Sequence, residues 1–457
     1  MIRRIANQGL VPALMVLLSA VLGVASLHAG TSVNGGQRLS LRDSIRIALE
    51  RNLTILLADR DIQTAESGRA QAFAEFLPKL STLLDYTRKS EAPRIELPAD
   101  FSAVLGLPPS TGTTRISLGG QETSSWKVTL QQPLFTGLAV TNSYRRANTT
   151  LELSRSRLRT ARHTLAFEVV RAYLTVLRAQ KAAEFSSQQV KALEAHAAQA
   201  QAFFDGGVIP KNDLLKAEVE LANARQTLIR VQNQVEFAKA SFNHTLGRDL
   251  NTPVDLEEPQ DTPPLPIGLD AAVQTAWEQR PELQELAHAI EAARTGVSVA
   301  QSQFFPQLSV VGSYTADIAG GNPNLKPERW EIGGVLQWRA FEGGKIRAQV
   351  SEAKIEQARA TDNRQQLRDR IALEVKEAVL NLQEAAQKIR VAETAIAQAE
   401  EHFRISRERY LAQIATSTEV VDAEALLTQA RTNYFNALYD DHLAAFALQK
   451  ATGVILE

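Results

Sequence analysis

The chain has 457 residues, 50 Lys and Arg against 51 Asp and Glu, and 44% hydrophobic residues. That length exceeds one ordinary domain, and the balance excludes intrinsic disorder and a polyanionic partner such as nucleic acid. Cysteine is absent, which excludes a disulfide framework, a thiol nucleophile, thiolate metal sites and the lipidated cysteine of a bacterial lipoprotein.

Residues 1–29 place Arg3 and Arg4 ahead of a short apolar run that is broken by Pro12 and ends in small residues. This is the build of a secretory signal, with cleavage after Ala25 or Ala29; a single membrane anchor is the other reading. No later window reaches the roughly 20 apolar residues of a helical span, so a mature chain that crosses a membrane must do so as a closed β-barrel.

Two copies of one unit follow. The first, 30–250, begins with the helical pattern from Leu39 to FLPKL, where Pro78 ends it. A strand is expected near 79–88, although LSTLLDYT alternates poorly. A second strand is expected near 124–135, where Trp126, Val128 and Leu130 oppose Lys127, Thr129 and Gln131. After PLFTG, Leu165, Val169, Ala172, Val176, Ala179, Ala183, Ser186, Val190, Leu193 and Ala197 form a seam, which predicts a long hairpin over 140–247. Its turn reads FFDGGVIPKND. A Pro-rich strap, 251–266, connects to the second copy.

The second copy, 267–457, matches the first with Pro306 over Pro78 and Tyr314 over Tyr86, a shift of 306 − 78 = 228. One helix is expected from Gly268 to FFPQL. Strands are expected near 307–317 and 329–340, with Leu308, Val310, Gly312 and Tyr314 on one face of the first and Trp330, Ile332, Gly334, Leu336 and Trp338 on one face of the second. Past RAFEGG, Ile371, Ala378, Ala385, Ala392 and Ala399 alternate with Val375, Leu382, Ile389, Ile396 and Phe403 at heptad spacing, predicting a second hairpin over 344–453. Here the shift is 453 − 247 = 206, so the first copy carries 228 − 206 = 22 extra residues, between Thr87 and Ser125. Their Pro, Gly, Ser and Thr content reads as a loop.

Strands of about ten residues with one apolar face and aromatic ends suit a lipid-facing barrel, and a half-buried soluble sheet suits them too. The long seams suit an extended coiled coil as well. Four strands cannot close a barrel; a cyclic trimer would supply twelve, and a ring of long helices beside them.

The duplicated order, with FLPKL and FFPQL entering the strands, PLFTG and RAFEGG leaving them, and the paired turns, resembles the TolC-type outer-membrane efflux family from Leu39 to Gly453. That resemblance implies a mixed, mainly α fold: a homotrimer whose 12-stranded transmembrane barrel continues into a periplasmic α-helical barrel. It implies an exit duct of a tripartite export system in the outer membrane, passively conducting small molecules such as drugs and toxic compounds, with a periplasmic adaptor, an inner-membrane pump and outer-membrane lipid as partners. Type I protein secretion through the same duct is the close alternative; a periplasmic coiled-coil adaptor or scaffold is the alternative of another class.

By the same resemblance Glu419 and Asp422 fall where paired acids narrow the gate, although Glu419 also suits a helix cap. Asp213 and Tyr410 fall where the closed tip is linked; Asp213 equally suits the N-cap of the helix after Pro210, and Ala415 stands where the family's linking Arg would be. The turns at Gly206, Gly207, Val208 and at Gln413, Ile414, Ala415 are the expected adaptor contacts, and Tyr86, Trp126, Tyr314, Trp330 and Trp338 the barrel aromatics. His163, His196, His244, His288, His402 and His442 are scattered without metal spacing; His196 and His402, equivalent in the two copies, are expected on helix surfaces. No pair of carboxylates stands out as acid and base, so neither an enzyme nor a cofactor is expected.

Overall fold

The computed structural model describes residues 38–97, 114–259, 268–321 and 326–455. The signal segment, the stretch around Pro109 and the end of the connector from 260 lie outside them. The first copy runs α1 (Leu41–Arg51), α2 (Leu53–Ala74), β1 (Lys79–Arg88), β2 (Arg94–Leu97), β3 (Thr114–Ser117), β4 (Glu122–Phe135), α3 (Ala139–Asp205) and α4 (Lys211–Thr245). The second runs α5 (Leu269–Gln279), α6 (Pro281–Ser302), β5 (Gln307–Ala319), β6 (Glu328–Gln337), α7 (Lys345–Leu411) and α8 (Ser417–Thr452).

Each copy therefore opens with two helices, not the one expected. The break falls at equivalent residues, Asn52 and Arg280, both in extended backbone. In the first copy the Asn52 side chain caps α2, accepting from the Thr54 N–H at 2.8 Å, and donates to the Thr245 carbonyl at 2.8 Å. In the second, Pro281 occupies the first helical position, and the residue before a proline is driven out of the helical region. Apolar periodicity carries on through both breaks, which hides them from a pattern reading. The end of each copy seals its own break. Gly247 and Gly453 take left-handed backbone after α4 and α8, and a Cβ there would stand 2.8 Å from the Arg51 carbonyl oxygen and 2.9 Å from the Arg280 nitrogen.

The sheet order is β1-β4-β5-β6, antiparallel throughout, with β1 and β6 as open edges. Register places Leu84, Trp126 and Ala316 side by side, then Thr82, Val128, Tyr314 and Trp330, then Leu80, Leu130, Gly312 and Ile332. The apolar positions expected on separate strands thus share one face, and β1 joins it. The other face is polar: Ser81, Thr129, Ser313 and Glu331 lie in line, as do Lys127, Thr315 and Arg329. Leu83, paired with Lys127, sits on that polar face and explains the poor alternation of β1. Pro133 is accommodated at a register shift in β4. The segment between Thr87 and Ser125 that carries the 22-residue excess is not only loop, since β2 and β3 pair within it as a separate two-stranded sheet.

Strand β6 stops at Gln337, opposite Gln307, because Pro306 and the end of α6 leave no partner beyond. Trp338 lies past the strand, where its indole N–H donates to the Phe304 carbonyl at 3.0 Å.

Helices α3 and α7 have 67 residues each, roughly 100 Å at 1.5 Å per residue. They pair with α4 and α8 as two hairpins; toward the tips α3 packs on α8 and the order is α4-α3-α8-α7, while toward the sheet α6 lies between α3 and α7 and α2 flanks α3, giving α2-α3-α6-α7. The predicted seams are where the core lies: Val169, Val176, Ile371 and Val375 are fully buried, and Ala378, Ala385 and Ala392 nearly so. Near mid-length Tyr173, Phe242, Leu246 and Tyr439 form a larger core with α1. The connector's described part binds there. Leu39 bridges to Leu256, the Tyr173 hydroxyl lies 2.6 Å from the Glu257 carbonyl, and the Tyr439 hydroxyl donates to the Glu258 carboxylate at 3.2 Å.

Candidate functional site

Both hairpins turn at their far ends with one geometry. The Val208 N–H donates to the Phe203 carbonyl (2.8 Å) and the Ile414 N–H to the Arg409 carbonyl (3.0 Å), closing equivalent helix ends. The left-handed position is Gly207 in the first turn and Gln413, φ 63°, in the second. A side chain with φ above zero is uncommon, so the second turn keeps the shape at some backbone cost. Each tip then presents one exposed apolar residue, Val208 and Ile414, while Gly206 caps α3 and Ala415 is half-buried before Thr416.

The acid past each bend occupies the same helical position. Asp213 and Glu419 are both third residues of their helices, after Pro210 and Thr416, where the partial positive charge of a helix start favours a carboxylate. Asp213 is therefore not the N-cap; Pro210 is, and it offers no side-chain acceptor. Thr416 does, and a capping box results: its hydroxyl accepts from the Glu419 N–H and the Glu419 carboxylate accepts from the Thr416 N–H, each at 3.4 Å. Arg409 also approaches Glu419 at 3.6 Å. Asp422, one turn on, is exposed.

The expected link between Asp213 and Tyr410 is not a hydrogen bond within one chain. The Tyr410 side chain is buried, and its hydroxyl has no hydrogen-bond partner. Burial first, and the charge of Asp213 second, raise its pKa. The ring packs instead on Phe203 (5.5 Å between centroids) and on His196 (4.8 Å).

That second contact opens a site that sequence reasoning missed. His196 is buried, unlike its exposed equivalent His402. Its Nε2 lies 2.8 Å from the hydroxyl of buried Ser417, the first residue of α8, which ties one hairpin to the other. A cavity of about 180 Å³ lies beside it, lined by His196, Phe403, Arg407, Tyr410, Val420 and Glu424 among others. Glu424 is buried, and burial pushes its carboxyl up to about 7 against the opposing pull of Arg431 and a hydrogen bond from Thr428. Burial pushes His196 the other way, below its ordinary value. Repetition singled out His196 without saying which copy is buried, and nothing in the sequence marks Glu424 off from other helix acids.

At the opposite end of the molecule the apolar face of the sheet is bare. Leu80 is 71% exposed, Ile332 72% and Trp330 77%. Tyr86, Trp126, Tyr314 and Trp330 ring its outer end; Trp126 and Tyr314 meet edge to face at 6.4 Å, and the Trp126 indole donates to the Thr82 hydroxyl at 2.8 Å. Phe135, Phe304, Phe305, Trp338 and Phe341 are exposed where the sheet meets the helices. Among the described residues no helix is long and apolar enough to cross a membrane, and no His, Asp and Glu cluster could hold a metal ion.

A bare apolar sheet face with aromatic ends, continued by two hairpins of equal length, defines an outer-membrane type of architecture, and comparison agrees. Residues 44–248 and 272–454 match the family model for outer membrane efflux protein, and the chain belongs to that family. It is 25% identical over 431 residues to the alkaline protease secretion protein AprF of Pseudomonas aeruginosa, covering 92% of this chain and 85% of the relative. It is 23% identical over 354 residues to the outer membrane efflux protein BepC of Brucella suis, covering 76% and 77%. The CmeC outer membrane channel of Campylobacter jejuni shares the fold at a TM-score of 0.76 and 17% identity, over 91% of this chain and 86% of that one.

Proposed function

We propose that three copies of this chain assemble into one exit duct through the outer membrane, conducting small molecules handed on by a periplasmic adaptor and an inner-membrane pump. The observation that carries this reading is the coincidence of free flanks. The sheet ends in unpaired β1 and β6, and the helical ribbon ends in α2 and α4 on one flank, exposing Leu56, Leu57, Leu215, Val219, Ile229 and Phe237, and in α7 on the other, exposing Ile355, Leu373, Leu380 and Val391. A cyclic arrangement pairs both sets of flanks at once, leaving twelve strands around a polar lumen and an apolar belt toward lipid. Threefold symmetry turns Asp422 and Glu419 into rings of carboxylate at the tip, a barrier that favours cations. The turns at Gly206–Val208 and Gln413–Ala415 are then the surfaces that meet the adaptor, with Val208 and Ile414 as apolar anchors.

The likeness to AprF, a protein named for protease secretion, supports a second reading, secretion of a protein through the same duct. A strain lacking the chain separates the two. Raised accumulation of a fluorescent dye with an unchanged secretome supports small-molecule export. A lost secreted protein with unchanged dye supports secretion, and no change in either contradicts the duct.

A further inference from the structure

The cavity behind the tip lies in the groove where α3, α7 and α8 meet, so anything that charges its walls bears on whether the two hairpins stay packed. We propose that His196 and Glu424 form a pair of opposed proton sensors holding the hairpins together there, so that each offsets part of the other's response as the surrounding pH drifts. The regulatory consequence, a tip whose closure resists pH, rests on the duct reading above.

The geometry supplies both sensors. His196 crosses from α3 to the first turn of α8, touching the Ser417 hydroxyl at 2.8 Å. An imidazolium there would be buried and would face the positive end of a helix, so the neutral ring is the one that fits. Glu424 enters the cavity two turns along the same helix, and Tyr410, with its buried and unpartnered hydroxyl, closes the wall from α7. The charged groups around them do not neutralise either one. On α8 itself Arg431 acts on Glu424 but is held by Glu400 at 3.0 Å. From α7 Arg407 lies at the exposed mouth. From α4 Lys216 is bound to the Thr418 hydroxyl at 2.9 Å and Arg225 to Glu194 at 2.8 Å.

The two groups respond to pH with opposite sign. The carboxyl of Glu424 is raised in the packed arrangement from 4.5 to about 7, so packing is strongest below 4.5 and weakens as pH rises toward 7. The imidazole of His196 is depressed from 6.5, so packing is strongest above 6.5 and weakens as pH falls below it. Between 4.5 and 6.5 the two slopes oppose each other.

Hydrogen exchange of the amides of residues 417–424, in purified full-length protein from pH 4.5 to 8.5 and normalised to the free-peptide rate, reads the packing. His196→Gln leaves Glu424 alone, and protection should fall on the order of 100-fold as pH rises from 4.5 to 7, following the raised carboxyl. Glu424→Gln leaves His196 alone, and protection should fall as pH drops below 6.5. Ser417→Ala keeps both titrating groups and should lower protection without tilting the profile. Variants with flat profiles, or profiles tilting the same way, overturn the proposal. Bilayer conductance of the same samples judges the duct separately. Conductance that follows exchange supports both readings, while tilted exchange with flat conductance supports the sensors and contradicts the tip as the duct's closure.

Discussion

The two acids that follow the second tip turn, Glu419 and Asp422, lie one helical turn apart and differ in what they can do. Glu419 is occupied by its own helix start and by Arg409, whereas Asp422 is exposed on the same helix face one turn on. Asp422→Ala is therefore expected to remove most of the block that multivalent cations impose from the tip side, measured as conductance of purified protein in a planar bilayer. Thr416→Ala is expected to leave that block in place and to lower stability by about 1 kcal/mol through loss of the cap. Arg280 is the buried ion with most to lose. It is 5% exposed, reaches Glu282 at 2.7 Å and binds Glu374 across to α7. Burial alone would lower its pKa, yet the two carboxylates together raise it. Arg280→Ala is expected to cost about 3 kcal/mol in thermal or denaturant unfolding, and Arg280→Lys to recover only part, since an ammonium cannot hold both acids in a fork. At this scale the sequence was least informative. The cap formed by Thr416 and Glu419 is local and legible, but whether Tyr410 or His196 is buried depends on partners some 200 residues away, as His196 with Ser417 shows.

The elements were legible wherever a period ran unbroken for many residues. The seam through Ile371, Val375 and Ala378 predicted a buried stripe because a heptad leaves only one face to bury, and those residues are buried. Short breaks were missed: Asn52 and Arg280 each interrupt a helix for one residue without disturbing the apolar spacing around it. Strand β1 alternates poorly because Leu83 places an apolar side chain on the polar face, and alternation alone extends β6 through Trp338 because it cannot show that Pro306 ends the partner. The insertion, read as loop, contains the β2–β3 hairpin at the end of the sheet away from the helices. Long loops at one rim and short turns at the other are usual for outer-membrane barrels, with the long ones outside. An epitope placed between Leu97 and Thr114 is accordingly expected to be labelled by antibody on intact cells, with assembly preserved. Labelling only after permeabilisation would reverse the orientation.

In the whole chain, both the sheet and the helical ribbon end in unpaired flanks. Four strands with a bare apolar face can remain neither in water, where the exposed Leu80, Trp330 and Ile332 would drive association, nor alone in lipid, where the unpaired edges of β1 and β6 would each expose a row of backbone groups. The helical ribbon has the same property, with apolar residues on both flanks. Duplication within the chain supplies two strands of the four-stranded sheet and one hairpin per copy, so the proposed trimer would have six equivalent units around one axis. The trimer is tested most directly by the mass of the protein component extracted from outer membranes in mild detergent, with the detergent contribution subtracted. A trimer should give close to three times the mass of the processed chain, within about 150 kDa for three unprocessed chains of 50.1 kDa, collapsing to one chain on heating. A single-chain mass before heating, or recovery of the protein from the soluble periplasm by osmotic shock, would contradict it.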